Sequence, residues 1–342
     1  MNNKELSDDW KWQVANSLRY MEKGNDYEVK IPPYYEGLID YNNQQCPIKK
    51  QCMPAIREIN FMNYDQYNIN IDDSLGEDNY SPAKNLVHKY KEKVLLIVTN
   101  QCFMNCRFCT RKRITNKFKF DYDLSEAFEY IKEHEEIRDV LISGGDPLTL
   151  DDSCLESIIK TLRKIKHIDI IRIGTRSPVV MPMRITDELV RMLKKYNPIW
   201  INTHFNTYAE VTEQSKEACI KIVEAGIPLG NQSVLLKDVN DNVEAYKKLC
   251  LELVKIRVRP YYLYQCDVGR GLEHFRTKIQ VGMEIVNEMR KITTGFAVPE
   301  YVIDSPNGGK IHIQKNNIIK IDDEKIVFEN YDGKRCVYPQ GQ

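Results

Sequence analysis

The sequence has no apolar run near the about 18 residues that cross a bilayer, which excludes a membrane-spanning helix. Residues 1–10 are polar and acidic and lack the apolar core of a secretory signal. Excess charge is also absent, since 49 Lys and Arg balance 49 Asp and Glu, whereas dedicated nucleic-acid binders are usually basic. We therefore expect a cytoplasmic protein that binds neither nucleic acid nor a membrane.

The rest of the composition is that of a folded protein. The chain has 342 residues, 42% of them apolar and 29% charged, enough for one barrel-sized domain or two smaller ones. It contains ten cysteines. Without an export signal they belong in a reducing compartment, where clustered cysteines indicate metal binding or catalysis more often than disulfides.

Short apolar, β-branched runs recur along the chain and predict strands. They lie at residues 94–99, 140–143, 170–174, 199–203, 232–236 and 260–264. Amphipathic helix patterns separate them, one of them introduced by Asp123 and Glu126 at capping-box spacing. This alternation is typical of α/β folds with a parallel sheet, and six units fit either a partial (βα)6 barrel or a doubly wound sheet. In both, ligands bind at the C-terminal ends of the strands.

Three regions are expected. Residues 1–90, polar and rich in Tyr and Asn, form an N-terminal extension that wraps the core. Residues 91–305 form the α/β core. Residues 306–342 contain a loop followed by short alternating segments at 310–313, 318–321, 325–328 and 335–338, which predict a small C-terminal β cap.

A cysteine cluster follows the first predicted strand. Cys102, Cys106 and Cys109 have C-x3-C-x2-C spacing and no fourth Cys or His nearby, so they fit a four-ligand zinc site poorly. The spacing fits three irons of a 4Fe–4S cluster whose fourth iron stays open to a ligand. A three-cysteine loop with a distant zinc ligand is the alternative.

The cysteine spacing resembles that of radical S-adenosylmethionine enzymes, and the neighbouring motifs resemble the lysine 2,3-aminomutase family. The resemblance extends from about residue 10 to residue 310. Its motifs lie at residues 106–113, 141–147, 172–178, 202–206, 230–236, 259–267 and 272–276. It implies a partial (βα)6 parallel barrel of the radical S-adenosylmethionine type.

The resemblance also implies three cofactors, namely a 4Fe–4S cluster on the cysteines, S-adenosylmethionine and pyridoxal 5′-phosphate. The residues implied to bind S-adenosylmethionine are Ser143, Gly144, Gly145, Asp146, His204 and Gln232. Pyridoxal phosphate would form a Schiff base with Lys310, and its phosphate would meet Lys89 and Lys93, where the family typically has arginines. From local sequence alone, the glycines also fit a plain tight turn and the lysines also fit solvated charges.

Three charged residues match the family's substrate pocket. Arg111 corresponds to the residue that pairs with the amino-acid carboxylate, and Asp267 and Asp304 correspond to the carboxylates that hold the distal ammonium of lysine. Two carboxylates at one buried site repel each other unless a cation lies between them, and the relative that acts on glutamate departs at both positions. A cationic amino acid is therefore the expected substrate.

The implied reaction is that of an isomerase, the interconversion of L-lysine and β-lysine. A 5′-deoxyadenosyl radical would initiate a 1,2-amino migration on a pyridoxal phosphate aldimine. The alternatives are an aminomutase for arginine, ornithine or a protein-linked lysine, and a non-enzymatic iron–sulfur protein.

Further partners are implied in the same way: a reducing protein such as flavodoxin or ferredoxin, and further copies of the chain in a homo-oligomer. No structural zinc is expected. The family binds it with C-terminal cysteines, whereas here Cys336 stands alone near the C-terminus and an asparagine within residues 239–242 replaces an internal cysteine.

Overall fold

The computed structural model describes residues 8–23, 25–55, 58, 69–115, 119–306, 309–314, 317–322, 325–330 and 333–339. Its helices are α1 (Trp10–Ala15), α2 (Pro33–Glu36), α3 (Pro47–Cys52), α4 (Lys112–Thr115), α5 (Ser125–Glu133), α6 (Asp152–Arg163), α7 (Ser177–Val180), α8 (Asp187–Lys194), α9 (Glu213–Glu224), α10 (Val243–Lys255) and α11 (Ile279–Ile292). In the described part of the chain, no helix is both long and apolar enough to cross a membrane.

The strands form three sheets. They are β1 (Leu18–Tyr20), β2 (Val29–Ile31), β3 (Leu86–Tyr90), β4 (Lys93–Thr99), β5 (Asp139–Gly144), β6 (Ile170–Gly174), β7 (Ile199–Thr203), β8 (Leu229–Leu235), β9 (Arg259–Gln265), β10 (Glu300–Ser305), β11 (Gly309–His312), β12 (Ile318–Ile321), β13 (Lys325–Glu329) and β14 (Arg335–Pro339). Strands β1 and β2 pair with each other, and β12, β13 and β14 form a separate antiparallel sheet.

The main sheet has nine strands whose spatial order follows the chain from β3 to β11. Strands β4 to β10 are parallel, and β3 and β11 lie antiparallel at the two edges. A doubly wound sheet would reverse its strand order at a switch point, so the sequential order confirms the partial barrel. The six predicted strands are β4 to β9. Strand β10 is a seventh parallel strand that the periodicity did not reveal.

The helices cover the sheet with the apolar faces that their periodicity predicted. Leu155, Ile159 and Leu162 of α6 are fully buried, as are Leu249 and Leu253 of α10. Each such side chain contributes about 1.5–3 kcal/mol of transfer free energy when it leaves water. This packing fixes the strand ends, from which the loops of the site extend.

The predicted capping box at Asp123 is wrong. Helix α5 begins at Ser125, and its N-cap residue is Leu124, whose side chain makes no capping hydrogen bond. The carboxylate of Asp123 instead accepts a hydrogen bond from the backbone N–H of Ser125, at 2.9 Å. Asp123, two residues before the start of the helix, therefore closes a local turn, a role that competes with capping for the same side chain.

The two edges of the main sheet meet through a side chain. The hydroxyl of Tyr90, on β3, accepts a hydrogen bond from the backbone N–H of Lys310, on β11, at 3.1 Å. Gly309 permits this approach, because its φ is +76° and an added Cβ would lie 3.2 Å from the Tyr90 hydroxyl. The predicted segment at 310–313 therefore lies on the main sheet rather than in the C-terminal cap, which contains the other three segments.

The N-terminal region packs against the loop that contains the cysteines. Lys30, on β2, donates from Nζ to the carbonyl oxygen of Cys102 at 2.6 Å, and its own carbonyl accepts from Asn105 N–H at 2.9 Å. The N–H of Arg107 donates to the carbonyl of Gln51, on α3, at 2.9 Å. These backbone contacts hold the loop in one conformation.

Candidate active site

A cavity of about 450 Å³ opens at the C-terminal ends of the parallel strands. Every site residue that the sequence predicted lies in its wall. These are Lys89, Lys93, Cys102, Cys106, Cys109, Arg111, Ser143, Gly144, Gly145, Asp146, His204, Gln232, Asp267, Asp304 and Lys310. The structure thus brings together residues that are more than 200 positions apart in the chain.

The three thiols lie after β4, in the loop that the N-terminal region supports. Burial raises the pKa of Cys102 and of Cys109, and the neighbouring thiol groups raise each further. Over the described residues, no three Cys, His, Asp or Glu side chains are close enough to share a single metal ion. Thiols at this spacing on one loop fit a multi-iron cluster, which would hold them as thiolates.

The guanidinium of Arg107, between two of these cysteines, is fully buried. It forms an ion pair with Glu58 and donates to the carbonyl oxygen of Tyr27 at 3.0 Å. A buried charge without a partner is costly, so this pair anchors the cysteine loop to the N-terminal region.

The two glycines at the C-terminal end of β5, Gly144 and Gly145, allow the cysteine loop to pass close to that strand. A Cβ on Gly144, whose φ is +135°, would lie 2.3 Å from the carbonyl oxygen of Thr99, and one on Gly145 would lie 2.1 Å from that of Gln101. Close backbone approach is therefore a structural requirement at these positions, whatever the cavity holds.

Asp146 and His204 are both fixed by neighbouring groups. The Asp146 carboxylate accepts from the Thr175 hydroxyl at 2.7 Å and from the Arg176 N–H at 2.9 Å, and burial raises its pKa. Burial and the Arg176 charge lower the pKa of His204 to about 3. The imidazole is therefore neutral at pH 7, with Nε2 at 3.1 Å from the side-chain oxygen of Asn206.

Lys310 faces the cavity between aromatic and acidic groups. Its Nζ donates to the Tyr264 hydroxyl at 2.6 Å, and it lies 3.5 Å from the Asp304 carboxylate. Burial lowers the pKa of Lys310; the Asp304 carboxylate opposes this shift, and the positive charge of Lys93 adds to it. A lysine whose pKa is lowered presents more of the neutral amine, the form that condenses with a carbonyl. With Lys89 and Lys93 in the same wall, the donors fit an aldehyde cofactor that carries a phosphate.

Asp267 has an unsatisfied carboxylate oxygen. Its Oδ1 is buried and has no hydrogen-bond partner in the described part of the chain. Burial, together with the charge of Asp304, raises the pKa of Asp267 to about 7, although Lys310 and Arg111 oppose this rise. Such an oxygen is suited to a cationic ligand that enters the cavity.

The guanidinium of Arg111 is held on one side by Glu77. Its Nη2 and Nε lie 2.6 Å and 3.0 Å from Glu77 Oε1, and Arg113 also pairs with Glu77, at 3.3 Å. Glu77 was not predicted, because it lies in an acidic loop with no motif. Arg176 and Tyr264 were also missed, although both lie in segments that were recognised as motifs.

The chain matches two family models. Residues 96–250 match the radical SAM superfamily, and residues 286–342 match the model described as lysine-2,3-aminomutase. The L-lysine 2,3-aminomutase of Bacillus subtilis is 45% identical over 98% of this chain and 75% of its own length. That of Clostridium subterminale is 44% identical over 98% and 86%. The glutamate 2,3-aminomutase of Clostridioides difficile is 39% identical over 96% and 82%.

Proposed function

Because the chain belongs to the lysine 2,3-aminomutase family of radical S-adenosylmethionine enzymes, we propose that it interconverts L-lysine and β-lysine. In this isomerisation the amino group moves between C2 and C3 of the substrate. A 4Fe–4S cluster, S-adenosylmethionine and pyridoxal 5′-phosphate are its cofactors. A one-electron reductant of the flavodoxin or ferredoxin type would reduce the cluster.

Side chains of one cavity would hold the three groups. Cys102, Cys106 and Cys109 would bind the cluster and leave one iron open to S-adenosylmethionine, near the glycine turn after β5. Lys310 would bind pyridoxal phosphate, with Lys89 and Lys93 near its phosphate. When bound, these groups together supply a radical that removes hydrogen and a conjugated system over which nitrogen can move.

The observation that carries the proposal is the unpaired carboxylate of Asp267. A carboxylate with a buried, unpartnered oxygen next to a second carboxylate, that of Asp304, disfavours an anionic side chain and favours a cationic one. The ammonium of lysine would offset the repulsion between the two carboxylates and satisfy the buried oxygen. The glutamate-specific reaction of one relative is therefore not the one expected here.

The other residues position the substrate. Arg111 would receive the α-carboxylate on the edge of its guanidinium that Glu77 leaves free, so the two ends of lysine would be held by opposite charges. The Tyr264 hydroxyl fixes Lys310 by accepting a hydrogen bond from its Nζ.

An anaerobic substrate screen tests the proposal. The reconstituted, reduced enzyme is supplied with S-adenosylmethionine, pyridoxal phosphate and one of lysine, arginine, ornithine, glutamate or a lysine-containing protein. We expect β-lysine from lysine, with formation dependent on S-adenosylmethionine. Turnover of arginine, ornithine or protein-linked lysine instead would reassign the substrate, and no product from any of them would contradict the enzymatic function.

A matched variant links the substrate to the observation above. In Asp267→Asn, the activity with lysine should fall sharply, whereas the iron content and the bound pyridoxal phosphate should remain those of the wild type. Full activity of this variant with lysine would show that the Asp267 carboxylate does not select the substrate.

A further inference from the structure

Arg176 directs a buried guanidinium at one cysteine of the proposed cluster site. It follows β6, and its Nη1 donates to the sulfur of Cys106 at 2.8 Å. The other two nitrogens also donate hydrogen bonds. Nε donates to the carbonyl of His204 at 3.1 Å, and Nη2 donates to the side chains of Gln51 and Glu210, both at 2.7 Å. The guanidinium is therefore held in a single orientation.

This charge is largely enclosed by protein. The side chain of Arg176 is 9% exposed, and the ring of Phe108 lies 5.0 Å from the guanidinium carbon. Its carboxylate partner, Glu210, is fully buried and also accepts hydrogen bonds from the Tyr35 hydroxyl at 2.7 Å and from the Asn206 N–H at 2.7 Å. Glu210 pairs with Nη2, whereas the sulfur of Cys106 contacts Nη1, so the sulfur lies directly against the positive guanidinium. In a buried site such a contact acts strongly on the charge of its neighbour.

We infer that Arg176 raises the reduction potential of the cluster through its contact with Cys106. The inference rests on the proposed function, in which Cys106 is a cluster ligand. Reduction adds one electron to the cluster and makes it more negative, so a nearby positive charge and an N–H···S hydrogen bond favour the reduced form. Arg176 is thus a positioning residue for the electron-accepting step, on which it acts through Cys106.

Three variants test this inference. Arg176→Gln removes the charge and Arg176→Lys retains it. Arg184→Gln is the matched control, because Arg184 is also a buried arginine but binds the Leu148 carbonyl and Asp152 instead. The measurement is the midpoint potential of the cluster in the reconstituted enzyme, from a redox titration followed by electron paramagnetic resonance.

We expect the ratio of reduced to oxidised cluster in Arg176→Gln to be at least about tenfold lower than in the wild type at the same applied potential. A tenfold change corresponds to about 59 mV for one electron. Arg176→Lys should lie between the two, and Arg184→Gln should match the wild type. An unchanged potential in Arg176→Gln, or an equal shift in Arg184→Gln, would overturn the inference.

Iron and sulfide analysis keeps this result separate from the proposed function. A wild-type protein that binds no 4Fe–4S cluster contradicts the proposed function, whereas a normal cluster with an unchanged potential in Arg176→Gln contradicts the role of Arg176 alone. If Arg176→Gln does not fold, pulsed electron paramagnetic resonance on the reduced wild type, labelled with 15N in its arginine guanidinium groups, decides the question. We expect the wild type to show a magnetic coupling between the cluster and a guanidinium 15N that Arg176→Lys lacks. Absence of this coupling from the wild type would refute the contact between Arg176 and Cys106.

Discussion

Replacement of Asp267 by asparagine should stabilise the protein and weaken lysine binding at the same time. Burial and the nearby Asp304 charge raise the pKa of Asp267 from 3.8 to about 7. This pKa difference means that the folded protein favours the protonated over the ionised form of Asp267 by about 4 kcal/mol more than the unfolded chain does. Asparagine carries no charge, so Asp267→Asn avoids that cost at every pH.

The sign of the pH dependence follows from linkage. Between about pH 4 and pH 7 the unfolded chain has lost the Asp267 proton, whereas the folded protein still holds it. The contribution of Asp267 to the free energy of unfolding of the wild type therefore falls as pH rises through this window, and its cost is fully present above pH 7. The stability gain of Asp267→Asn should be near zero at pH 4 and should reach its plateau above pH 7.

The assay is the melting temperature of the wild type and Asp267→Asn from pH 4 to pH 9, without substrate. For a chain of this size about 1 kcal/mol shifts the melting temperature by about 2 °C, so a gain of up to about 8 °C is expected above pH 7. Asp187→Asn is the control, because Asp187 lies on the surface of α8 and is 67% exposed. Its substitution should give no comparable rise with pH.

The same variant should bind lysine poorly. Loss of one partner of a buried charge pair costs about 2–5 kcal/mol, so the KM for lysine should rise at least about 30-fold. In the wild type, the KM should increase as pH falls below about 7, because the carboxylate is then protonated. Equal pH profiles of melting in both proteins, or an unchanged KM in the variant, would refute the assignment of Asp267 as an unpaired carboxylate that awaits a cation.

Three further variants address the other parts of the site. Cys102→Ala should abolish both cluster iron and turnover. Cys250→Ala is the control and should retain both, because Cys250 is buried in α10, away from the cysteine loop. Iron analysis and product assays measure the two outcomes. Lys310→Ala should lose the visible absorbance of covalently bound pyridoxal phosphate and all turnover, and an unchanged spectrum would place the cofactor on another lysine. Arg111→Lys should raise the KM for lysine about tenfold or more with a smaller change in kcat, because lysine cannot replace the two-pronged contacts of arginine; an unaltered KM would show that the substrate carboxylate binds elsewhere.

The site could be predicted more completely than the fold details. The family resemblance supplied its residues, and most of them lie at or just beyond the C-terminal ends of parallel strands, which meet at one edge of a sheet. The structure brings all of them to one cavity. Glu77 and Arg176 were missed because their roles depend on contacts across 34 and 70 residues of chain, which no local pattern encodes.

Strand prediction likewise succeeded where the local sequence has a clear pattern and failed where a strand depends on tertiary contacts. Strands β4 to β9 were found because each is an apolar run buried against the helices. Strand β10 (Glu300–Ser305) buries Tyr301 and Val302, and its other residues are polar or partly exposed, so its sequence has no clear period. Its place in the sheet is set by parallel pairing with β9, a tertiary contact.

The contact between Tyr90 and Lys310 joins the first and last strands of the main sheet by one hydrogen bond, in place of a ladder of backbone hydrogen bonds. A single hydrogen bond contributes about 1 kcal/mol, whereas opening any other pair of neighbouring strands would break several at once. The barrel therefore has a seam, which is the least costly place for its wall to part. Lys310 lies on that seam, so thermal opening there would admit a molecule beside the lysine while the strands that hold the cysteine loop stay paired.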